Sequence, residues 1–154
     1  MLLCLGVLLS ITTLAQNTFY RKYNLSGMQG GLQLEATNDG GFVATGQHEG
    51  NGSAGGCDIY VYRVDACGNN LWFKLYGNGS TDGGKSIKQT SDGGYIVAGH
   101  YDGGQGFMMK IDDGGAMEWI HNYSSLSWVL YADEMSNGDF IAMGIGGSSS
   151  LYIM

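Results

Sequence analysis

Aspartate beside glycine is the most frequent arrangement in this chain that could do chemistry. The triplet Asp-Gly-Gly begins at five positions, which are Asp39, Asp82, Asp92, Asp102 and Asp113. Calcium binding needs six to eight converging oxygens, and neither a D-x-D-x-D-G loop nor a glycine-rich nonapeptide array supplies them here. Turn formation explains the triplet without a ligand, because aspartate caps its own backbone and glycine accepts a positive φ. We therefore expect turns at these positions and no metal site.

Catalytic motifs are also scarce. The chain has three histidines, His48, His100 and His121. They lack the spacing of zinc ligands, so we expect each to be a loop or strand-face residue. Residues 52–55 (GSAG) lack the first glycine of a G-x-S-x-G nucleophile motif. Asp112 and Glu118 could pair for glycoside cleavage, but nothing in their spacing requires it. We assign no catalytic, metal-binding or cofactor-binding residue and no cofactor, and the sequence favours a protein that is not an enzyme.

An internal repeat of about 45 to 53 residues organises the chain. Three blocks recur. Residues 37–46 return at 90–99 and more weakly at 135–144. Residues 60–65 return at 107–112, and residues 151–154 begin a third copy; residues 72–76 return at 119–123, and residues 19–23 fit the same template. The repeat units are about 24–76, 77–123 and 124–154 together with 16–23. In the third unit Trp128 and Val129 replace the Gly-Gly of the other copies.

Each unit contains four short segments with strand character. In the second unit these are residues 85–90, 95–99, 107–112 and 117–123. No stretch has a 3.6-residue apolar period, so we expect no helix. Four antiparallel strands in such a unit match the size of a propeller blade. The sequence thus predicts an all-β domain over residues 16–154, a partial β-propeller of roughly three four-stranded antiparallel blades.

Aromatic residues recur at two positions of the repeat. Phe19, Trp72 and Trp119 share one position, and Tyr23, Tyr76 and Tyr123 share the other. Recurrence in every unit favours packing between blades, because a functional group usually breaks the symmetry of a repeat. Stacking of exposed rings on sugars is the alternative.

Three blades are too few to close a ring, since propellers have about four or more. A fragment of a longer propeller is the favoured explanation, and the apolar residues 151–154 support it. Two copies that assemble a six-bladed ring, or a truncated and non-functional gene product, are the alternatives.

Residues 1–15 are apolar and end in Thr-Leu-Ala, which predicts a signal peptide cleaved before Gln16. No Lys or Arg precedes the apolar run, and a buried N-terminal strand is the alternative interpretation. The segment is too short for a stable membrane anchor. We expect a secreted protein, extracellular or at the cell surface. The net charge of −7, from 14 acidic and 7 basic residues, argues against nucleic acid and anionic membranes as partners.

Two cysteines follow the predicted signal peptide, at Cys57 and Cys67. They bracket one predicted strand, which at roughly 3.3 Å per residue holds them some 26 Å apart. A disulfide needs Cα atoms within about 7 Å. We therefore predict that they are not bonded to each other; bonds to other partners, or two free thiols, remain open.

The motif blocks resemble a known group of repeats. Asp-Gly-Gly-Phe/Tyr-x-x-x-Gly occurs at residues 39–46 and 92–99, DACGNNLW at 65–72 and YGNGSTD at 76–82. Over residues 19–154 the chain resembles large secreted β-propeller-like proteins of Bacteroidetes-type bacteria. Such proteins often carry a C-terminal type IX secretion sorting domain, which we do not expect within residues 19–154, and many have no assigned activity. The resemblance implies a propeller architecture and export.

Together these observations predict a secreted, non-enzymatic repeat module with a structural or ligand-binding role. Loops between strands would carry recognition, of a polysaccharide or a surface protein. Self-association through open blade edges is a further expectation. The alternative is a fragment of a glycan-active propeller hydrolase, recognisable by carboxylates or histidines that cluster on one face and break the repeat.

Overall fold

The computed structural model describes residues 22–23, 28–49, 56–77, 79–101, 104–146 and 151–153. Within these ranges the chain is all-β and without helix, as predicted, and thus none of the described segments is a helix able to cross a membrane. The strands are β1 (Met28–Ala36), β2 (Phe42–Glu49), β3 (Cys57–Val64), β4 (Asn70–Tyr76), β5 (Gly83–Gln89), β6 (Tyr95–Tyr101), β7 (Gln105–Ile111), β8 (Met117–Tyr123), β9 (Leu126–Glu134), β10 (Phe140–Gly146) and β11 (Leu151–Ile153).

The strands form three antiparallel sheets in which each strand pairs with the next along the chain. The sheets are β1-β2-β3-β4, β5-β6-β7-β8 and β9-β10-β11, and we call them blade 1, blade 2 and blade 3. Blade 1 packs against β5 of blade 2, and blade 2 packs against β9 of blade 3. The predicted partial propeller of about three antiparallel blades is confirmed, with three strands described in the third blade.

Asp-Gly-Gly closes the β1–β2 and β5–β6 hairpins as predicted. In the first hairpin the Thr37 amide donates to the Gly41 carbonyl over 2.9 Å, and Asp39 Oδ1 accepts from the Gly41 amide over 3.1 Å. Gly40 has φ 82°, a conformation that glycine adopts without strain. Asp82 differs, because its triplet opens β5 and its side chain is fully buried. A turn at Asp82 was therefore a wrong prediction.

The pairing register shows which residues are equivalent between blades. Gly46 pairs with Tyr60 in blade 1 and Gly99 with Phe107 in blade 2. In blade 3 the matching pair is Gly144 with Tyr152. Aligning residue 151 with Phe107, as the sequence blocks did, was wrong by one residue. Four apolar residues do not define a register by themselves, because both faces of such a strand are apolar.

Apolar clusters between successive blades form the core. The first cluster contains Val43, Ile59 and Val61 of blade 1 and Ile87, Tyr95, Val97, Phe107, Met109 and Ile111 of blade 2. The second contains Ile96, Ala98 and Met108 of blade 2 and Leu126, Val129, Ala132 and Ala142 of blade 3. Blade 2 is covered on both faces, which explains why β6 is almost continuously apolar.

The recurring tryptophans lie at these junctions. Trp72 meets Tyr95 edge to face, with ring centroids 6.0 Å apart, and Trp119 meets Phe140 in the same way at 5.4 Å. Each pair joins the outermost strand of one blade to the second strand of the next. The prediction that these aromatic residues pack between blades is confirmed for Trp72 and Trp119, whereas Phe19 lies outside the described residues.

Tyr23 repeats a contact that Tyr76 makes one blade later. The Tyr76 hydroxyl donates to the Gly115 carbonyl over 2.7 Å, and the Tyr23 hydroxyl donates to the Gly68 carbonyl over 2.6 Å. The ring of Tyr23 also meets Tyr62 edge to face at 5.0 Å. Tyr23 therefore occupies the place of an outermost-strand tyrosine of a preceding blade, in agreement with the sequence template. The predicted signal peptide and the start of this template lie outside the described residues.

Candidate functional site

A cleft lies between blades 1 and 2 at the edge that carries the β1–β2, β5–β6 and β7–β8 turns. Its volume is about 460 Å³, within the range of small-ligand sites. The lining combines carboxylates, amides, a hydroxyl and two aromatic rings, and includes Asp39, Asp92, Asp113, Asn38, Gln89, Ser91, Trp72 and Tyr95. Polar groups of this kind around aromatic surfaces suit a polar ligand.

Arg63, at the end of β3, forms the floor of the cleft. The residue is only 4% exposed, and its Nη2 contacts both carboxylate oxygens of Asp39 at 2.6 Å. Its Nε donates to the Tyr95 hydroxyl over 2.8 Å, and Nη1 donates to the carbonyls of Phe42 and Val64. A buried guanidinium needs hydrogen-bond acceptors for its N–H groups. Because one of these acceptors is Tyr95 of blade 2, Arg63 links the two blades. The carboxylate of Asp39 lies at the surface of the cleft.

Lys110 occupies the same position in blade 2. Its Nζ lies 2.9 Å from Asp92 Oδ2 and 3.4 Å from Glu118 Oε2, and it also donates to the Ile111 carbonyl. In both blades a buried cation therefore supports the aspartate of the Asp-Gly-Gly turn. The sequence interpretation missed this pairing, although Arg63 and Lys110 stand at equivalent places in the aligned blocks.

The two turn aspartates stay ionised in all but strongly acidic solution. Hydrogen bonds from Thr37, Arg63 and the Gly41 amide lower the pKa of Asp39 to about 2. The equivalent set, with Lys110, lowers the pKa of Asp92 to about 2. Both side chains are more than half exposed, so the cleft presents their carboxylate oxygens as hydrogen-bond acceptors, each paired with a buried cation.

Trp72 and Leu71 form the apolar wall of the cleft. The Trp72 indole donates to the Asp113 carbonyl over 2.9 Å, which joins β4 to the β7–β8 turn. Leu71 beside it is 51% exposed. This wall provides an apolar surface within reach of the carboxylates.

The opposite edge of the same junction carries two buried carboxylates. Asp58 is 3% exposed and Asp82 is fully buried. Asp58 Oδ1 and Asp82 Oδ2 both lie within 3 Å of the point where a side chain on Gly77 would begin. Within the described residues, Asp58 Oδ1 has no hydrogen-bond partner, and no group of three or more His, Cys, Asp or Glu side chains could hold a metal.

Trp128 breaks the repeat at the junction of blades 2 and 3. It pairs with Ile145, as Gly83 pairs with His100 in blade 2. The His100 ring stacks on Trp128 at 5.4 Å, and Lys85 Nζ lies 4.2 Å from the indole centroid. Burial lowers the pKa of His100. These contacts hold the indole in place, although it is 41% exposed.

The structure does not bring the candidate catalytic residues of the sequence into one site. Asp112 Oδ1 accepts from the Ala116 amide over 2.7 Å and so caps a turn, whereas Glu118 pairs with Lys110. His48 and His100 are buried on strands, and His121 is exposed on β8. Residues 52–55 and Asp102 lie outside the described residues.

Cys57 and Cys67 are not bonded to each other, as predicted, and both are free thiols. Cys57 is the first residue of β3, and Cys67 lies in the turn that follows the strand. Cys57 Sγ donates to Glu49 Oε1 over 3.6 Å. Burial and the neighbouring carboxylates raise the pKa of the Cys57 thiol, which disfavours a reactive thiolate.

No protein-family model matches this chain, and no curated protein matches it.

Proposed function

We propose that this chain is a secreted, non-enzymatic repeat module that binds a polysaccharide in the cleft between blades 1 and 2. The observation that carries the proposal is the placement of two ionised aspartates opposite Trp72 and Leu71 in a cleft of about 460 Å³. Carboxylates accept hydrogen bonds from sugar hydroxyls, and an aromatic and apolar wall packs against the C–H face of a sugar ring. The lining carries three carboxylates and one guanidinium, and this excess of negative charge favours a neutral polysaccharide over an acidic one.

The pKa values of Asp39 and Asp92 argue against these two residues as the acid of a hydrolase. Glycoside cleavage needs a carboxylic acid that is protonated near neutral pH, and burial or a neighbouring anion must raise its pKa to achieve this. The pKa values of Asp39 and Asp92 are instead lowered to about 2. Neither aspartate can therefore donate a proton to a leaving group under ordinary conditions.

A glycan array carrying neutral and acidic polysaccharides tests the proposal. We expect binding to neutral glycans and weaker or absent binding to polyanions such as alginate. No reducing sugar is expected to be released from a bound polysaccharide. Silence across the array would overturn the binding function, and steady release of reducing sugar would support the hydrolase.

A charge placed in the cleft tests the site itself. Leu71→Glu replaces an apolar side chain of the wall with a hydrated, charged one, and the lost packing on the sugar ring should weaken binding of the best array hit at least about tenfold. Met117→Glu is the matched control, because Met117 is 54% exposed on the outermost strand of blade 2 and does not line the cleft. Equal binding by both variants, measured by calorimetry, would show that the ligand binds elsewhere.

Export rests on residues 1–15 and has its own test. Expression in a bacterial host followed by mass spectrometry of the extracytoplasmic fraction should give a mature chain that begins at Gln16. Retention of the full chain in the cytoplasm would contradict the proposed location.

A further inference from the structure

The two junctions, between blades 1 and 2 and between blades 2 and 3, are built from equivalent surfaces. We call the forward face of a blade the surface that packs on the following blade, and the rear face the surface that packs on the preceding blade. Val61 on the forward face of blade 1 shares a cluster with Ile87 on the rear face of blade 2. Met108 and Ala132 stand at the equivalent positions of the next junction and also share a cluster.

Blade 3 has a forward face that nothing in the described part of the chain covers. By register, Ile141, Met143 and Ile153 correspond to Ile96, Ala98 and Met108 of blade 2. The blade 2 residues are at least nine-tenths buried, whereas Ile153 is 72% exposed and Ile141 is 38% exposed.

Blade 1 has the complementary rear face. Leu34 corresponds to Ile87 and Ala132, which are fully buried in the two junctions, yet Leu34 is 62% exposed. The cluster of Tyr60, Tyr62 and Val64 beside it is already 6–9% exposed, with Tyr23 packed on Tyr62. The uncovered part of the rear face is therefore the β1 side, at Leu34.

We propose that the forward face of blade 3 docks on the rear face of blade 1 of a second copy of this chain. The chain already forms this face-to-face contact twice. The forward face of blade 3 and the exposed Leu34 side of blade 1 are the two halves of a third contact of the same kind. A head-to-tail contact closes a ring of two copies when it relates them by a half-turn, and otherwise continues as a filament. Two copies then contribute six blades, a number at which propellers close.

Tyr23 supports this occupant independently. Its hydroxyl donates to Gly68 as that of Tyr76 donates to Gly115, so Tyr23 stands where the outermost strand of a docked blade would place its tyrosine. In blade 3 three strands are described, β9, β10 and β11. In the two-copy assembly, Tyr23 of one copy lies beside blade 3 of the other.

A charge-swap experiment tests the docking. The chain with Ile153→Lys carries a charge on the forward face, and the chain with Leu34→Glu carries one on the rear face. Each variant alone should weaken self-association at least about 100-fold, because each interface then buries an unpaired charge. Light scattering after size exclusion, over a dilution series, should give the mass of one chain for each variant and of two chains for the parent.

Mixing the two variants separates head-to-tail docking from other arrangements. In the mixture one interface pairs Lys with Glu and the other is unchanged, so two-chain particles should return. Met117→Lys, on an exposed site away from both faces, should stay at two chains. A parent chain that is monomeric at every dilution, or a dimer that Leu34→Glu leaves intact, would overturn the proposal. Circular dichroism of each variant checks that a loss of mass is not a loss of folding.

Discussion

Truncation of Ile87 tests the stacking of blades on which every site in this protein depends. Ile87 is fully buried in the cluster between blades 1 and 2. Ile87→Ala removes three carbon atoms, worth about 0.8 kcal/mol each in transfer free energy, or about 2.4 kcal/mol. The cavity left at a tightly packed junction adds to this, so we expect the free energy of unfolding to fall by about 3–4 kcal/mol.

Urea unfolding followed by tryptophan fluorescence measures this loss, because Trp72 packs against the same cluster. Ile87→Val should cost about 1 kcal/mol, which gives a graded series at one position. Leu71→Ala is the matched exposed truncation and should cost about 0.5 kcal/mol.

An Ile87→Ala variant no less stable than Leu71→Ala would refute the reasoning. Packing between the blades would then contribute little to stability, and neither the cleft nor the docking faces would have a fixed geometry. A loss of slope in the unfolding curve, rather than a shift of its midpoint, would instead indicate that the blades unfold separately.

Three further outcomes follow from the same contacts. The pKa values of Asp39 and Asp92 fall from 3.8 to about 2 on folding. Their stabilising contribution is therefore complete above pH 3.8 and is lost as the pH falls toward 2. Replacing both residues by Asn should make the melting temperature less dependent on pH in this acidic range. Gly99→Ala places a Cβ against a backbone oxygen of the neighbouring strand, whereas Gly30→Ala meets nothing within 4 Å, so melting should show a loss of about 1–3 kcal/mol or more for the first variant and little for the second. Tyr76→Phe removes the hydrogen bond to the turn of blade 2 and should cost about 1 kcal/mol in urea unfolding.

Much of the architecture was predictable because local chemistry and the repeat agree. The predicted strand 117–123 is β8 with the same bounds, and the predicted strand 95–99 lies within β6 (Tyr95–Tyr101). Turn glycines and alternating apolar residues determine such elements locally. The strand predicted at 85–90 begins earlier, at Gly83, because Gly83 and Gly84 pair with His100 and Gly99. Glycine has no strand preference of its own, and only the neighbouring strand shows that it is paired.

The cleft could not be predicted, because its walls come from residues far apart in sequence. The hydrogen bond from the Asn38 amide to Gln89 Oε1 crosses 51 positions, and that from the Trp72 indole to Asp113 crosses 41. Only the stacking angle of the blades brings such groups together. The support of Asp39 by Arg63 was within reach of the sequence, since each of the first two repeat units combines a turn aspartate with a basic residue on its third strand.

Comparison of the blades separates the groups that hold the cleft from the groups that would choose its ligand. An aspartate supported by a buried cation occurs in blade 1 and in blade 2. Such a recurring group stabilises the turn in each blade, and it would contribute to ligand affinity without selecting one glycan over another. Two exposed cleft residues differ in chemical character from their equivalents: Leu71 corresponds to Glu118, and Asp113 corresponds to Ala66. Selectivity should therefore follow Leu71 and Asp113: exchanging them for Glu and Ala should change which glycans bind, while the melting temperature stays nearly constant because both side chains are largely exposed.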